Sequence, residues 1–264
     1  MKPIASALSL LALLIALPPA ARAEDFAPGS DAHELIEAAD KVRNPATPFS
    51  LTNLLTEYKD GKAASSTMLA VYAKIDPASR QFRNIVRFVE PPRDAGKMVL
   101  MDGTKMWFYD PDSKASVPIS PQQRLIGQAS DGDVVTVNYA RDYGGKVIGE
   151  EKLLDADHKE RDCWHLDMVA ADADAVYSRL ELWLEKGTFY GVKSKHYSDS
   201  GRLLKIAYYH NYAPALGGQR AGQTIIIDAV DSKLVTTMDV SDWQTATLPD
   251  SWFQRDFLPR VNFE

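Results

Sequence analysis

Lys97-Met98-Val99-Leu100-Met101-Asp102-Gly103-Thr104-Lys105-Met106-Trp107-Phe108-Tyr109-Asp110-Pro111 is the stretch that decides the fold. Two short runs rich in apolar and aromatic residues flank Asp102-Gly103, a strong hairpin signal, and Asp110-Pro111 closes the second run. Neither run alternates between apolar and polar. A strand that is apolar on both faces must be covered on both faces. The stretch therefore predicts a β-hairpin inside a protein, with material packed above and below it.

Outward from this hairpin the same grammar repeats. From Phe49 onward the hydrophobic period is two, and the candidate strands are 50–59, 66–75, 82–90, 97–101, 105–109, 147–154, 161–169, 177–185, 189–197, 203–212, 223–230 and 234–243. Turn chemistry separates them: Asp60-Gly61, Asp76-Pro77, Gly144-Gly145, Lys186-Gly187, Ser200-Gly201 and Gly217-Gly218. In 177–185, Leu180, Leu182 and Leu184 point one way, while Arg179, Glu181 and Glu185 point the other, beside Trp183. Before the strands, Asp31 to Val42 reads as a helix, with Leu35, Ile36, Ala39 and Val42 on one face and Asp31 with Glu34 resembling a capping box. A second helix is expected after Pro249, carrying Trp252, Phe253 and Phe257. No composition break divides the chain. The fold class is mainly β with a few helices (α+β): one antiparallel domain over residues 24–264.

The first 23 residues read as a signal peptide. Lys2 precedes an apolar run from Ile4 to Leu17, Pro18-Pro19 breaks it, and Ala21-Arg22-Ala23 supplies a small-x-small cleavage site. The run is shorter than the roughly 20 residues that a spanning helix needs, which disfavours a membrane anchor. Cleavage after Ala23 implies export, and in a diderm host that means the periplasm.

The whole chain has 264 residues, 30 Lys+Arg against 36 Asp+Glu, and a net charge of -6. Removing Lys2 and Arg22 with the leader leaves 28 basic against 36 acidic residues, a net charge of -8. That balance lacks the basic footprint of a nucleic-acid binder. The only cysteine, Cys163, excludes an internal disulfide and a cysteine-rich zinc module. Nucleophile-elbow, HExxH, phosphate-loop and dinucleotide motifs are missing too, so no constellation supports an enzyme and no cofactor is expected. Cys163, His165 and Asp167 share one face of a strand. The rise of a strand sets the outer two roughly 13 Å apart, too far for one ion to gather all three. No metal site is expected.

The segment Met98 to Pro111 also resembles the strand–turn–strand signature of the LolA-like family of periplasmic lipoprotein carriers. Pro121-Gln122-Gln123-Arg124, Gly127-Gln128 and Gly132-Asp133-Val134 resemble the outer-membrane lipoprotein-sorting subgroup of that family. Tyr177 to Trp183, Ser200 to Lys205 and Leu248 to Phe253 continue the pattern, which runs through nearly all of the mature chain. The resemblance implies a single strongly curved antiparallel sheet, an incomplete barrel closed by helices, with an apolar cavity for acyl chains. It implies a soluble, monomeric periplasmic carrier of lipid or lipoprotein, loaded by an inner-membrane transporter and unloaded at an outer-membrane acceptor. A non-enzymatic lipid-sensing or adaptor module on the same fold is the second reading. The chain is longer than the short carriers, and the arginine that helps hold their lid has three candidate counterparts, Arg80, Arg83 and Arg87.

An acyl chain of about 16 carbons exposed to water costs roughly 12 kcal/mol, at about 0.8 per methylene. A carrier must offer comparable apolar area and still let go. Parity within each strand suggests Val86, Phe88, Met98, Leu100, Met106, Phe108, Leu166, Met168, Leu182 and Leu184 as the lining. Trp252 and Phe253 are candidates for a lid or a fixed plug.

Overall fold

The computed structural model describes residues 29–173 and 175–263. The leader, with its cleavage site at Ala21-Arg22-Ala23, lies outside the described residues. Helix α1 (His33–Arg43) is followed by a meander of β1 (Phe49–Lys59), β2 (Lys62–Ile75), β3 (Phe82–Glu90), β4 (Met98–Asp102), β5 (Lys105–Asp110) and β6 (Ala115–Ile119). A connecting stretch contains β7 (Arg124–Ile126), β8 (Ala129–Ser130) and the short helix α2 (Tyr139–Asp142). A second meander follows: β9 (Tyr143–Leu154), β10 (Glu160–Ala170), β11 (Arg179–Glu185), β12 (Gly191–Tyr197) and β13 (Leu203–His210). The small hairpin β14 (Ala213–Ala215) and β15 (Gly218–Arg220) leads to β16 (Gln223–Asp228) and β17 (Leu234–Thr245).

Thirteen of these strands form one antiparallel sheet in the order β6-β5-β4-β3-β2-β1-β17-β16-β13-β12-β11-β10-β9, not closed into a barrel. Register shifts bend it, for example between Met68 and Leu69, between Trp183 and Leu184, and between His196 and Tyr197. The order has one consequence for everything below. β6 and β9 are the two opposite edges, so the chain between them must travel across the whole sheet. It does so over the concave face, burying Ala129, Val134, Val135 and Val137 in the main core.

Buried side chains hold this crossing segment in place. Asn84 on β3 donates from Nδ2 to the Thr136 carbonyl at 2.9 Å and accepts from the Thr136 N–H at 2.9 Å. Gln81 accepts from the Asn138 N–H at 2.9 Å and donates to both carboxylate oxygens of Asp142 at 2.9 and 2.7 Å. Both amides thus stand in for a strand partner that the crossing backbone lacks. Gly127, at φ +53°, sits where an added Cβ would collide with the Thr236 hydroxyl; one on Gly132 would collide with Val176 and lie 3.0 Å from the Pro121 carbonyl. Both glycines let the segment lie flat on its neighbours.

Several expectations are corrected. The helix starts two residues later than expected and ends one later, with Ala32 as its N-cap and no side-chain cap; Asp31 accepts from the His33 N–H instead of closing a capping box with Glu34. β6 was not expected, because Pro118 argues against a central strand; the sheet edge tolerates it. The C-terminal helix is two 3₁₀ segments, Asp250–Phe253 and Arg255–Arg260, the second interrupted by Pro259. No helix among the described residues is long and apolar enough to cross a membrane.

Candidate functional site

Between the concave face and the crossing segment lies a partly open space of about 180 Å³. Its apolar wall comes from Leu51, Val71, Leu182, Leu184, Ile226 and Val240 on the sheet, Val134, Val135 and Val137 from the cover, and Val176 from the β10–β11 connection. The space exceeds the engineered lysozyme cavity of about 150 Å³ that binds benzene, and falls short of the roughly 300–1,000 Å³ typical of ligand pockets. In this conformation the cover fills most of the concavity.

Of the residues predicted to line a cavity, Leu182 and Leu184 reach it. Val86, Phe88, Met106, Phe108, Leu166 and Met168 share the same concave core, where neighbours rather than open space meet them. Met98 and Leu100 do not share it. They lie on the convex face with Ile85 and Tyr109, packed against Phe253, Leu258 and Leu248. The reason is register. A two-residue turn pairs Asp102 with Lys105, so Met98 stands opposite Tyr109, Leu100 opposite Trp107, and Val99 opposite Phe108. Val99 and Met101, not Met98 and Leu100, share the face of Met106 and Phe108. Trp252 and Phe253 likewise cover the convex patch, on the other side of the sheet from the cavity. Lys74 fastens them there, donating to the Leu248 carbonyl and pairing with Asp250, at 2.8 and 2.7 Å.

The polar groups of the cavity wall carry no strong sequence signal, and most come from distant segments. Lys205 pairs with Asp133, and Tyr177 donates to the same carboxylate at 2.7 Å. Burial favours a neutral Asp133, but Lys205 outweighs it and holds the carboxyl below its usual range. His196, facing the Tyr177 ring, is pushed down to about 3 by burial. Its Nε2 meets the Ser194 hydroxyl at 2.8 Å, and that hydroxyl also meets the Tyr209 hydroxyl at 2.8 Å. A serine–histidine contact invites a hydrolytic reading. A histidine this desolvated is a poor base at neutral pH, however, and its Nδ1 has no carboxylate to orient it.

At the other end of the cavity, Arg43 closes α1 and pairs with Asp40 at 2.8 Å, lying 3.6 Å over the Tyr139 ring. Arg220, from the β14–β15 hairpin, donates to the carbonyls of Lys41 and Val42 and so caps the helix C-terminus. Three buried polar atoms on this cavity's residues have no partner among the described residues: Asn53 Oδ1, His196 Nδ1 and Arg220 Nε.

Cys163, His165 and Asp167 lie on the convex face. Cys163 is buried with Trp183 and Val192, its thiol pushed up to about 12 by burial. His165 stacks on Trp183 between Glu151 and Glu181, and Asp167 accepts from Arg179 at 2.6 Å. Each is engaged separately.

The sequence matches no protein of curated function. Among solved structures, a LolA superfamily protein from Nitrosomonas europaea is 29% identical, with a TM-score of 0.76 over 86% of this chain and 99% of that one. A domain named for outer membrane lipoprotein sorting, from Vibrio parahaemolyticus, is 18% identical with a TM-score of 0.72, over 86% of this chain and 98% of its own. A DUF1329 family protein from Desulfovibrio piger, 19% identical, gives 0.72 over 86% and 97%. A family model described as "Uncharacterized protein" matches residues 81–260, from the start of β3 through the C-terminal 3₁₀ segments. The chain belongs to that family, and its fold is that of the LolA superfamily.

Proposed function

We propose that the protein is a periplasmic carrier that takes acyl chains of a lipid or lipoprotein into the concave cavity and shuttles them between inner and outer membrane. The observation behind this reading is the partly open, largely apolar space between the sheet and the chain that crosses it. Cargo enters by displacing that segment from the sheet, because the space as it stands is smaller than a long acyl chain requires. The cover is anchored through side chains such as Asn84 and Gln81 rather than a continuous ladder, which makes displacement cheaper than unzipping a strand. Residues 1–23 direct export and are removed after Ala23. An inner-membrane transporter loads the carrier, an outer-membrane acceptor unloads it, and it works as a monomer without catalysis.

The test is mass spectrometry of organic extracts from protein purified from the native periplasm without detergent, with amino-terminal sequencing of the same sample. Copurifying lipid and a first residue of Glu24 are expected. Protein that carries no lipid and binds no added amphiphile would falsify the carrier reading.

A further inference from the structure

The cavity wall carries a charge that its surroundings do not neutralise. Arg220 is 5% exposed, and its hydrogen bonds go to two backbone carbonyls of α1. No carboxylate among the described residues pairs with it, and burial alone pulls its pKa down. Its neighbour Arg43, by contrast, is matched by Asp40. Across the cavity Lys205 is matched by Asp133. Arg220 is therefore the unmatched cation of the wall, and its Nε–H is left over after the helix has been capped. Asn53, 4% exposed, adds a free Oδ1 nearby: it pairs with Val240, whose N–H donates at 2.8 Å to the carbonyl of Gly222, two residues beyond Arg220. A buried cation with carbonyls but no counter-ion is costly, and a buried donor without a partner adds to the cost.

We infer that the cavity is built for an amphiphile with an anionic headgroup, a carboxylate or a phosphate, seated on Arg220 with its chain along Leu51, Val71, Leu182 and Ile226. Arg220 Nε–H donates to the headgroup, and Asn53 Oδ1 accepts from a headgroup or glycerol hydroxyl. A guanidinium suits either anion, because its donors form a planar fork. This inference rests on the carrier reading and narrows its cargo.

The experiment compares dodecanoate, dodecyl phosphate and dodecanol, of equal chain length, for displacement of a fluorescent fatty-acid probe from delipidated protein. At least tenfold tighter binding of one or both anions over the alcohol is expected, and which anion leads identifies the headgroup class. In Arg220→Met the preference should fall below twofold, while dodecanol affinity stays within twofold of the original. Should that variant not fold, Asn53→Asp replaces it; a carboxylate on the same wall competes for the guanidinium and should remove the preference likewise. Equal binding of acid and alcohol by the unaltered protein, or a preference that survives the substitution, overturns the inference. Binding of the alcohol without discrimination leaves the carrier reading standing, whereas binding of none of the three sinks both.

Discussion

Strands β4 and β5 are apolar on both faces, yet the two faces are finished differently. On the convex side, Ile85, Met98, Leu100 and Tyr109 meet Phe253, Leu258 and Leu248 from the chain's own C-terminal segment. Its nearby cation, Lys74, finds both a carbonyl and a carboxylate. On the concave side the core opens, toward β1, β11 and β16, into a space whose wall retains an unmatched guanidinium and unpartnered polar atoms. Apolar residues alone do not tell a ligand face from a packing face. Unsatisfied polar groups beside open space do, because a finished core rarely leaves them.

The sharpest way to break this contrast is Leu182→Glu. A carboxylate on the cavity wall should abolish copurifying lipid while leaving a folded protein by circular dichroism, with stability lowered by several kcal/mol. The adjacent Glu181 faces the other way but accepts from Tyr197 at 2.6 Å and pairs with Lys195 and His165, so the control belongs elsewhere on that face. Val169→Glu, at a 54% exposed position on the convex face, should change neither lipid nor fold. A folded Leu182→Glu protein with a full lipid load would remove this wall from the binding surface. The reverse pattern is expected of Phe253→Ala. It should cost roughly 3–5 kcal/mol in denaturant unfolding, as truncation of a buried phenylalanine does, with the lipid load unchanged. Lipid loss in that variant would make the C-terminal segment part of the site.

Acid should act on the concave side. Folded His196 titrates at about 3 against an ordinary 6.5, with Asp133 and Lys205 as its charged neighbours. Between those values the unfolded chain binds more protons, so stability falls as pH drops through that window, by roughly 3 kcal/mol at pH 4 from this group. Asp131, raised to about 7 by burial, acts oppositely, its stabilising contribution being lost as pH rises from about 4 toward 7. Replacing His196 with Gln should therefore flatten the acid limb of a stability–pH curve, and an unchanged limb would mean that another group governs it. The smallest effect is expected of Asp250→Asn. This carboxylate is 77% exposed, and loss of its pairs with Lys74 and Arg83 should shift the unfolding midpoint only slightly, and less as salt is added.

Much of the molecule was legible in local sequence. The strands and their turns stand close to where the period-two pattern sets them, and Leu180, Leu182 and Leu184 share a face as alternation requires. The register of the 97–111 hairpin was legible too: a two-residue turn at Gly103-Thr104 opposes even residues on one strand to odd residues on the other, which is enough to separate Met98 and Leu100 from Met106 and Phe108. β6 escaped because Pro118 carries the signature of a chain break, and only its place at the sheet edge makes it a strand.

The site itself was decided by tertiary structure. Propensity, period and turn chemistry depend on residues a few positions apart, so the sequence by itself determined that this chain makes a long series of antiparallel strands with apolar faces. Which face curves inward depends on β17 returning to β1, and what covers it depends on β6 and β9 lying at opposite edges. The polar wall is more remote still: Lys205 meets Asp133 from 72 positions away, and Arg220 reaches the carbonyl of Lys41 from 179. Whether a buried charge is matched or left for a ligand is settled by which distant groups the fold brings within a few ångströms of it, and no local pattern encodes that.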